Sequence, residues 1–371
     1  MSRADRPADR PDPPPGDAAG SDAAPVDDAA RHAAFARRAA RLFVDPLLAR
    51  DRASDSIVSV AGTGLLAAAA INHRTRGRWP VLLQRALSTL TTLYETNPTA
   101  NGGWFSHFTT PAGVPLVGSE VSTIDTALLL ASYRDLLGRT SAARQSLPVW
   151  REFKEFLRMV TNSIDLSLVT RDGKISHGFR WPGPHGVGRA EPIEHLWDDT
   201  AEGVLVYWLF GSRLAAEGRR RDWWQPAIER VDYPLFVYVY PLCLDARCFD
   251  AAGEHADYLD QRDRWRSLLI RCLEHQQRTY GFVGQTATDG PDGYSVGSPS
   301  VIAPVLLDAL ADDPGLPYIA ETLATLDARG IARTTMAYDM ATGWQSDDVI
   351  SIDVGSAALT RDAIARHGSL Q

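Results

Sequence analysis

The sequence predicts a mostly helical protein in which an inner ring of buried helices is wrapped by an outer ring of amphipathic ones. Three observations predict it. Residues 60–71, 124–131 and 203–210 are apolar all round, and a helix of that kind must be covered on every side. Residues 79–96 and 258–278 instead carry their apolar residues on one face. No alternation of strand and helix patterns appears, which removes a two-domain α/β reading.

In chain order, residues 1–28 read as a disordered tail, with Pro11-Asp12-Pro13-Pro14-Pro15-Gly16-Asp17 at its middle. Such a composition has almost nothing to bury, so ordering it costs entropy without return. Residues 29–371 read as one domain. The first buried segment contains Ala61-Gly62-Thr63-Gly64. Glycine inside a helix costs about 1 kcal/mol relative to alanine. Either neighbouring backbones approach closely here, or the helix begins later, near Leu65. Across 79–96, Leu83, Ala86, Leu90 and Leu93 share a face, with Arg85 and Thr92 elsewhere. Arg171-Asp172-Gly173-Lys174 has the form of a tight hairpin turn. Residues 181–192 are dense in Gly and Pro and carry His185 and Arg189, and 281–299 form a second such loop. Long loops in a compact domain tend to be functional. Across 258–278, Trp265, Leu268, Leu269, Cys272 and Leu273 form a stripe opposed by Arg264, Arg266 and Arg271.

The totals exclude several classes. The 371 residues are 44% hydrophobic and 23% charged, an ordinary globular composition. A net charge of −8 argues against a nucleic-acid surface. The one basic run, Arg219-Arg220-Arg221, is flanked by Glu217 and Asp222 and reads as a solvated helix end. Lys154 and Lys174 are the only lysines. Cys243, Cys248 and Cys272 are too few and odd in number for a disulfide framework, and no second Cys or His pair completes a zinc site around the first two. No stretch approaches the roughly 20 apolar residues of a membrane span. The first 30 residues lack the apolar centre of a signal peptide, so the chain as written reads as cytoplasmic. Nothing in the sequence speaks to oligomeric state.

The chemistry lies in carboxylates beside aromatic groups. Trp104-Phe105-Ser106-His107-Phe108 leads to Ser119-Glu120-Val121-Ser122-Thr123-Ile124-Asp125 and the apolar helix after it. That helix reads as opening with two acids, Glu120 and Asp125, and a charge on a buried helix is costly unless paired or used. The run Trp197-Asp198-Asp199-Thr200-Ala201-Glu202 repeats the arrangement before 203–210. Both have a second explanation, since Ser122-x-x-Asp125 and Asp199-x-x-Glu202 have capping-box spacing and acids suit helix starts. Thr286 to Tyr294, with Asp289 and Asp292, reads as a tight turn without the ligand pattern of a calcium loop. Asp353 opens the last helix. The nine histidines lack metal spacing; Glu191-Pro192-Ile193-Glu194-His195 has neither an unbroken helix nor a second His. There is no phosphate loop and no Gly-x-Ser-x-Gly elbow. Neither metal nor cofactor is implied. An aromatic-walled hollow lined by acids suits a sugar, with rings to stack on and carboxylates to bond hydroxyls or move protons.

Taken in order, Gly103 to Phe108, Val121 to Leu129, Glu202 to Tyr207, Tyr233-Pro234-Leu235-Phe236-Val237, Thr286 to Tyr294 and Ile352-Asp353-Val354-Gly355 resemble the bacterial glycoamylase-like proteins, which include the endo-β-1,2-glucanases. The resemblance spans roughly residues 35–365. It implies an all-α fold, an (α/α)6 barrel or toroid with short β-hairpins in the loops at one end. It implies a glycoside hydrolase acting on a β-glucan or related glycan, inverting, through paired carboxylates. Carried over by motif, Glu202, Asp125 and Asp353 are the catalytic candidates. Glu120, Trp104, His107, Asp199, Tyr240, Asp245, Asp289, Asp292 and Tyr294 are the substrate-binding ones. The partner implied is an oligosaccharide or glycoside, with no nucleic acid and no membrane. Family members tend to continue after Pro-Leu-Phe-Val with His-Gln-Tyr-Ser-His. Here the chain reads Tyr238-Val239-Tyr240-Pro241-Leu242, and only Tyr240 and Asp245 keep the pattern. That departure leaves room for another glycan, for a non-catalytic glycan-binding protein on the same fold, or for a biosynthetic enzyme reusing the cavity.

Overall fold

The structure, a computed structural model, describes residues 41–44, 48–54, 56–72, 79–171, 174–197, 202–216, 230–244, 262–295, 298–346 and 348–370. The tail expected over 1–28, the basic run at 219–221 and Cys248 lie outside the described residues.

Among the described residues, ten helices of seven residues or more carry the architecture: α1 (Val60–Asn72), α2 (Trp79–Thr96), α3 (Thr123–Gly138), α4 (Pro148–Ser163), α5 (Gly203–Ala216), α6 (Phe236–Cys243), α7 (Arg262–Tyr280), α8 (Pro304–Leu310), α9 (Ile319–Ala328) and α10 (Ser351–His367). They fall into the two kinds the sequence distinguishes. α1 and α3 are buried along nearly their whole length. α2 buries Leu83, Ala86, Leu87, Leu90 and Leu93 on one face. α4, which opens on Pro148, buries Phe153, Leu157, Val160 and Thr161, packs Val149, Trp150 and Phe156 partly buried beside them, and turns its charged residues to solvent. Trp265, Leu268, Leu269, Cys272 and Leu273 of α7 are buried as the stripe predicts.

The buried helices form a file. α5 packs on α3, α3 on α1, α1 on α10, α10 on α8, and α6 also rests on α10. The amphipathic helices cover them from outside, α2 and α4 against each other and against α1 and α3, α7 against α6, and α9 against α8. Tyr133 of α3 meets Phe153 of α4 edge to face at 5.2 Å, one of the contacts that seals the layers.

The glycines of α1 have a packing reason. The helix begins at Val60 and not near Leu65. A Cβ on Gly64 would stand 2.6 Å from the Leu129 Cα of α3. A Cβ on Gly355 of α10 would stand 2.6 Å from the Leu65 Cβ and 3.1 Å from backbone atoms of α1. The three helices touch main chain to main chain, which only glycine permits.

Short β-pairs bind the loops and deliver the chain into the buried helices. Val58–Ser59 pairs with Phe108–Thr109 and runs into α1. Val121–Ser122 pairs with Gly178–Arg180, which pairs onward with Glu191–Pro192, and runs into α3. Val301–Ile302 pairs with Tyr338–Asp339 just before α8. Thr170–Arg171 and Lys174–Ile175 form the expected hairpin, its two turn residues lying outside the described residues. Thr288–Gly290 and Gly293–Ser295 form another.

Candidate active site

The site is built where buried helices begin. Ser122 caps α3: its Oγ accepts from the Asp125 N–H at 3.3 Å. That is half of a capping box, so the bland reading of Asp125 holds for its backbone. Its side chain does something else. Asp125 Oδ1 lies 3.7 Å from Nε2 of His107, and its side chain is only 9% exposed. Glu120 is not on the helix, which starts at Thr123; it precedes the strand Val121–Ser122. From there its Oε1 stands 3.3 Å from His107 Nδ1, and its Oε2 lies 3.6 Å from Arg180 Nη2. The His107 ring stacks on Phe108 with centroids 3.8 Å apart.

Glu202 stands at the residue before α5, and its carbonyl accepts the Leu205 N–H at 3.1 Å. Trp197, upstream of it, is anchored on α3. Trp197 Nε1 donates to Thr123 Oγ1 at 2.7 Å, and His177 stacks on the Trp197 ring at 3.6 Å. Burial, then the neighbouring Asp125 charge, pushes the Glu202 carboxyl up to about 8, against the opposing pull of His107. Glu202, Asp125 and His107 are therefore close enough to feel one another. Burial opposes the charge on His107, but Asp125, Glu120 and Asp51 outweigh it and raise the imidazole to about 9. The hydrogen bond from His107 holds Glu120 below the usual carboxylate range. Burial raises Asp125, with His107 pulling the other way.

Asp353 lies in the first turn of α10, 1% exposed, and its Oδ2 has no hydrogen-bond partner among the described residues. Burial, then Asp51 and Asp289, pushes it up to about 8. Tyr240 of α6 is buried beside Phe236, with ring centroids 5.2 Å apart. Its hydroxyl is raised by burial, then by Glu202 and Asp353, which brings it into the same group. Tyr294 projects from the hairpin Thr288–Ser295, paired with Asp289 in register. It is 57% exposed, yet its hydroxyl is pushed up to about 12 by burial, then by Asp353, Asp51, Glu202 and Asp125. Asp289 forms an ion pair with Arg52, Oδ1 to Nη2 at 2.9 Å.

Two expectations are placed elsewhere. Trp104 does not line the hollow. Its ring is fully buried, meets Phe210 edge to face at 5.1 Å, and its N–H donates to the Asp165 carbonyl at 2.9 Å. An indole with its one donor already used and both faces packed has nothing left to offer a sugar. Asp292 is exposed at the tip of the hairpin, unlike the buried acids. Asp199 and Asp245 lie outside the described residues.

Sequence reasoning missed Asp51, Arg52 and Arg180. All three reach the site across the chain, Arg52 to Asp289 and Arg180 to Glu120, and no local pattern marks them. Among the described residues no helix is long and apolar enough to cross a membrane.

No family model and no curated protein matches the chain by sequence. Solved structures do. A candidate glucoamylase from Bacteroides uniformis superposes with a TM-score of 0.66 at 15% identity, over 93% of this chain and 93% of that one. An endo-β-1,2-glucanase from Chitinophaga pinensis, in complex with sophorotriose and glucose, gives 0.60 at 15% identity over 91% and 93%. An endo-β-1,2-glucanase from Talaromyces funiculosus, in complex with sophorose, gives 0.58 at 12% identity over 84% and 77%. At such identities the likeness is one of fold: the chain has the glycoamylase-like fold shared with the endo-β-1,2-glucanases.

Proposed function

We propose that this protein is an inverting glycoside hydrolase acting on a β-glucan or related glycan, its residues 29–371 forming one (α/α)6 barrel whose helix starts hold the acids. The observation that carries the reading is Glu202. It is a nearly buried carboxyl pushed up to about 8 by burial and by Asp125, so it keeps its proton at neutral pH. A general acid needs that, and a helix start alone would favour the opposite.

Glu202 gives this proton to the departing glycosidic oxygen as the bond from that oxygen to the anomeric carbon breaks. A water oxygen bonds to the anomeric carbon from the opposite face and loses a proton to a second carboxylate. Asp125, beside the His107 cation, supports that base role; Asp353, pushed up to about 8 like Glu202, takes it only at a pH where it has given up its proton. Inverting pairs stand about 6.5–9.5 Å apart to leave room for the water. Tyr240, Tyr294, Asp289 and Arg52 supply ring and polar contacts around them.

Reducing-sugar release over a panel of glucans, β-1,2-glucan included, tests the activity. Glu202→Gln is expected to lower turnover by about 10²–10⁴-fold with folding intact; retained turnover removes Glu202 from the mechanism. Azide added to Asp125→Ala and Asp353→Ala separates the base, because the variant lacking it regains turnover as glycosyl azide. Early product showing the anomer opposite to the substrate supports inversion.

One observation favours a second reading. Tyr238, Val239, Pro241 and Leu242 are buried in the core, and the Tyr238 hydroxyl donates to the Arg230 carbonyl at 2.8 Å. That segment is structural here where the resembling family has polar residues. A glycan-binding protein without turnover fits it, and calorimetry showing tight oligosaccharide binding with no cleavage would select that reading.

A further inference from the structure

One imidazole stands between two carboxylates. Nδ1 of His107 faces Glu120 at 3.3 Å and Nε2 faces Asp125 at 3.7 Å. The ring has little freedom to turn away. Its backbone N–H donates to the Glu120 carbonyl at 2.9 Å, and Phe108 stacks on its face. A neutral imidazole has one N–H, so it would leave a nitrogen lone pair pointing at a carboxylate oxygen. Between two ionised carboxylates, only the imidazolium satisfies both sides.

Glu120 is spent in the same arrangement. One of its oxygens faces His107, and the other faces Arg180 at 3.6 Å. It stands at the outer end, with its side chain 31% exposed, while Asp125 at the inner end is 9% exposed. The charged groups acting on the ring are Glu120, Asp125 and Asp51; Glu202 interacts with both Asp125 and the ring, and Arg180 faces the other oxygen of Glu120.

We propose that Glu120 is a positioning residue: through His107 it holds Asp125 ionised at the inner end of the site, and it makes no contact with the sugar itself. The kinetic consequence rests on the hydrolase reading. The state of the ring does not, and is measurable in a protein that cleaves nothing.

The test follows the His107 nitrogen resonances of the full chain through a pH titration, assigned by their loss in His107→Gln. In the wild type the ring is expected to stay doubly protonated past pH 8. In Glu120→Gln its midpoint is expected to fall by at least about one pH unit, with the other histidines unmoved, and Glu120→Asp is expected to recover part of the fall. On a glucan that the wild type hydrolyses, Glu120→Gln is expected to lower kcat about tenfold or more with KM within about twofold. The acid limb of its pH profile moves upward, because Asp125 without its cation needs a higher pH to ionise. An unchanged His107 midpoint, or a KM rise at constant kcat, overturns the proposal and makes Glu120 a sugar contact. If the wild type releases no sugar, the hydrolase reading fails by itself and the titration still decides: a lowered midpoint upholds the relay, an unmoved one overturns it. Should Glu120→Gln not fold, Asp125→Asn is read on the same resonance, and an unmoved midpoint there overturns the proposal equally.

Discussion

Arg52 and Asp289 join two parts of the chain that are more than two hundred residues apart: Nη2 and Oδ1 meet at 2.9 Å, so the segment leading into α1 is tied to the hairpin that presents Tyr294. Their side chains are 31% and 15% exposed, and a pair this open contributes little to global stability. Its value is local, in where the hairpin stands. Arg52→Gln is expected to lower Tm by only about 1–3 °C while raising KM for the oligosaccharide several-fold and leaving kcat nearly unchanged. Thermal unfolding beside steady-state kinetics checks both halves; an unchanged KM would detach this pair from substrate binding.

The pH dependence of stability has a definite sign. Burial, then Asp125, lifts Glu202 from 4.5 to about 8, so the native state keeps a proton that the unfolded chain releases above 4.5. The unfolded state binds fewer protons across that window, and stability falls as pH rises from 4.5 through about 8. His107, lifted from 6.5 to about 9, adds a loss of the same sign between those values. Urea unfolding at pH 6, 7, 8 and 9 is expected to show declining stability. Glu202→Gln, which has no proton to lose, is expected to make the decline below 8 shallower, with Asp353, lifted from 3.8 to about 8, keeping the remainder. The same titration places the basic limb of kcat/KM near pH 8.

Gly64→Ala reverses an ordinary rule. In an open helix the change gains about 1 kcal/mol. Here the added methyl would stand 2.6 Å from the Leu129 Cα, a backbone atom with nowhere to go. A loss of about 1–3 kcal/mol in urea unfolding is expected, with reduced turnover because α3 carries Asp125. A stabilised variant would show that the two helices do not touch.

Trp104→Phe separates core from cleft. The substitution removes the N–H that the Asp165 carbonyl accepts and trims a fully buried ring, and is expected to cost about 1–3 kcal/mol. KM is expected to stay within about twofold, since the ring faces Phe210 and not the acids. A large KM increase in a protein of unchanged stability would return Trp104 to the sugar.

What was readable in the sequence was what periodicity and helix ends encode. The all-round apolar character of α1, α3 and α5 reports burial on every side, and the paired glycines of α1 report the close approach to Leu129. Acids at the starts of such helices pointed to Asp125, Glu202 and Asp353, and the structure brings their charges within reach of common neighbours. What failed was direction. Trp104 sits in an aromatic run that reads as cleft wall, but which way an indole turns depends on a carbonyl, that of Asp165, sixty residues away. Glu120 reads as a helix residue because the strand Val121–Ser122 is two residues long, too short to leave an alternating pattern. Arg52 and Arg180 belong to the site only through contacts between distant segments.

The contacts at Gly64 and Gly355 have a consequence for how such a protein can change. Through α1 they lock the helix bearing Asp125 to the helix bearing Asp353, main chain against main chain. The spacing of the acids is then inherited from the scaffold, while Tyr294, Asp289 and Arg180 ride on β-hairpins and short strands outside it. Loop exchange at the rim is a route to new specificity, and a library confined to 181–190 and the exposed hairpin tip 291–294 would sample substrates while leaving the buried acids in place.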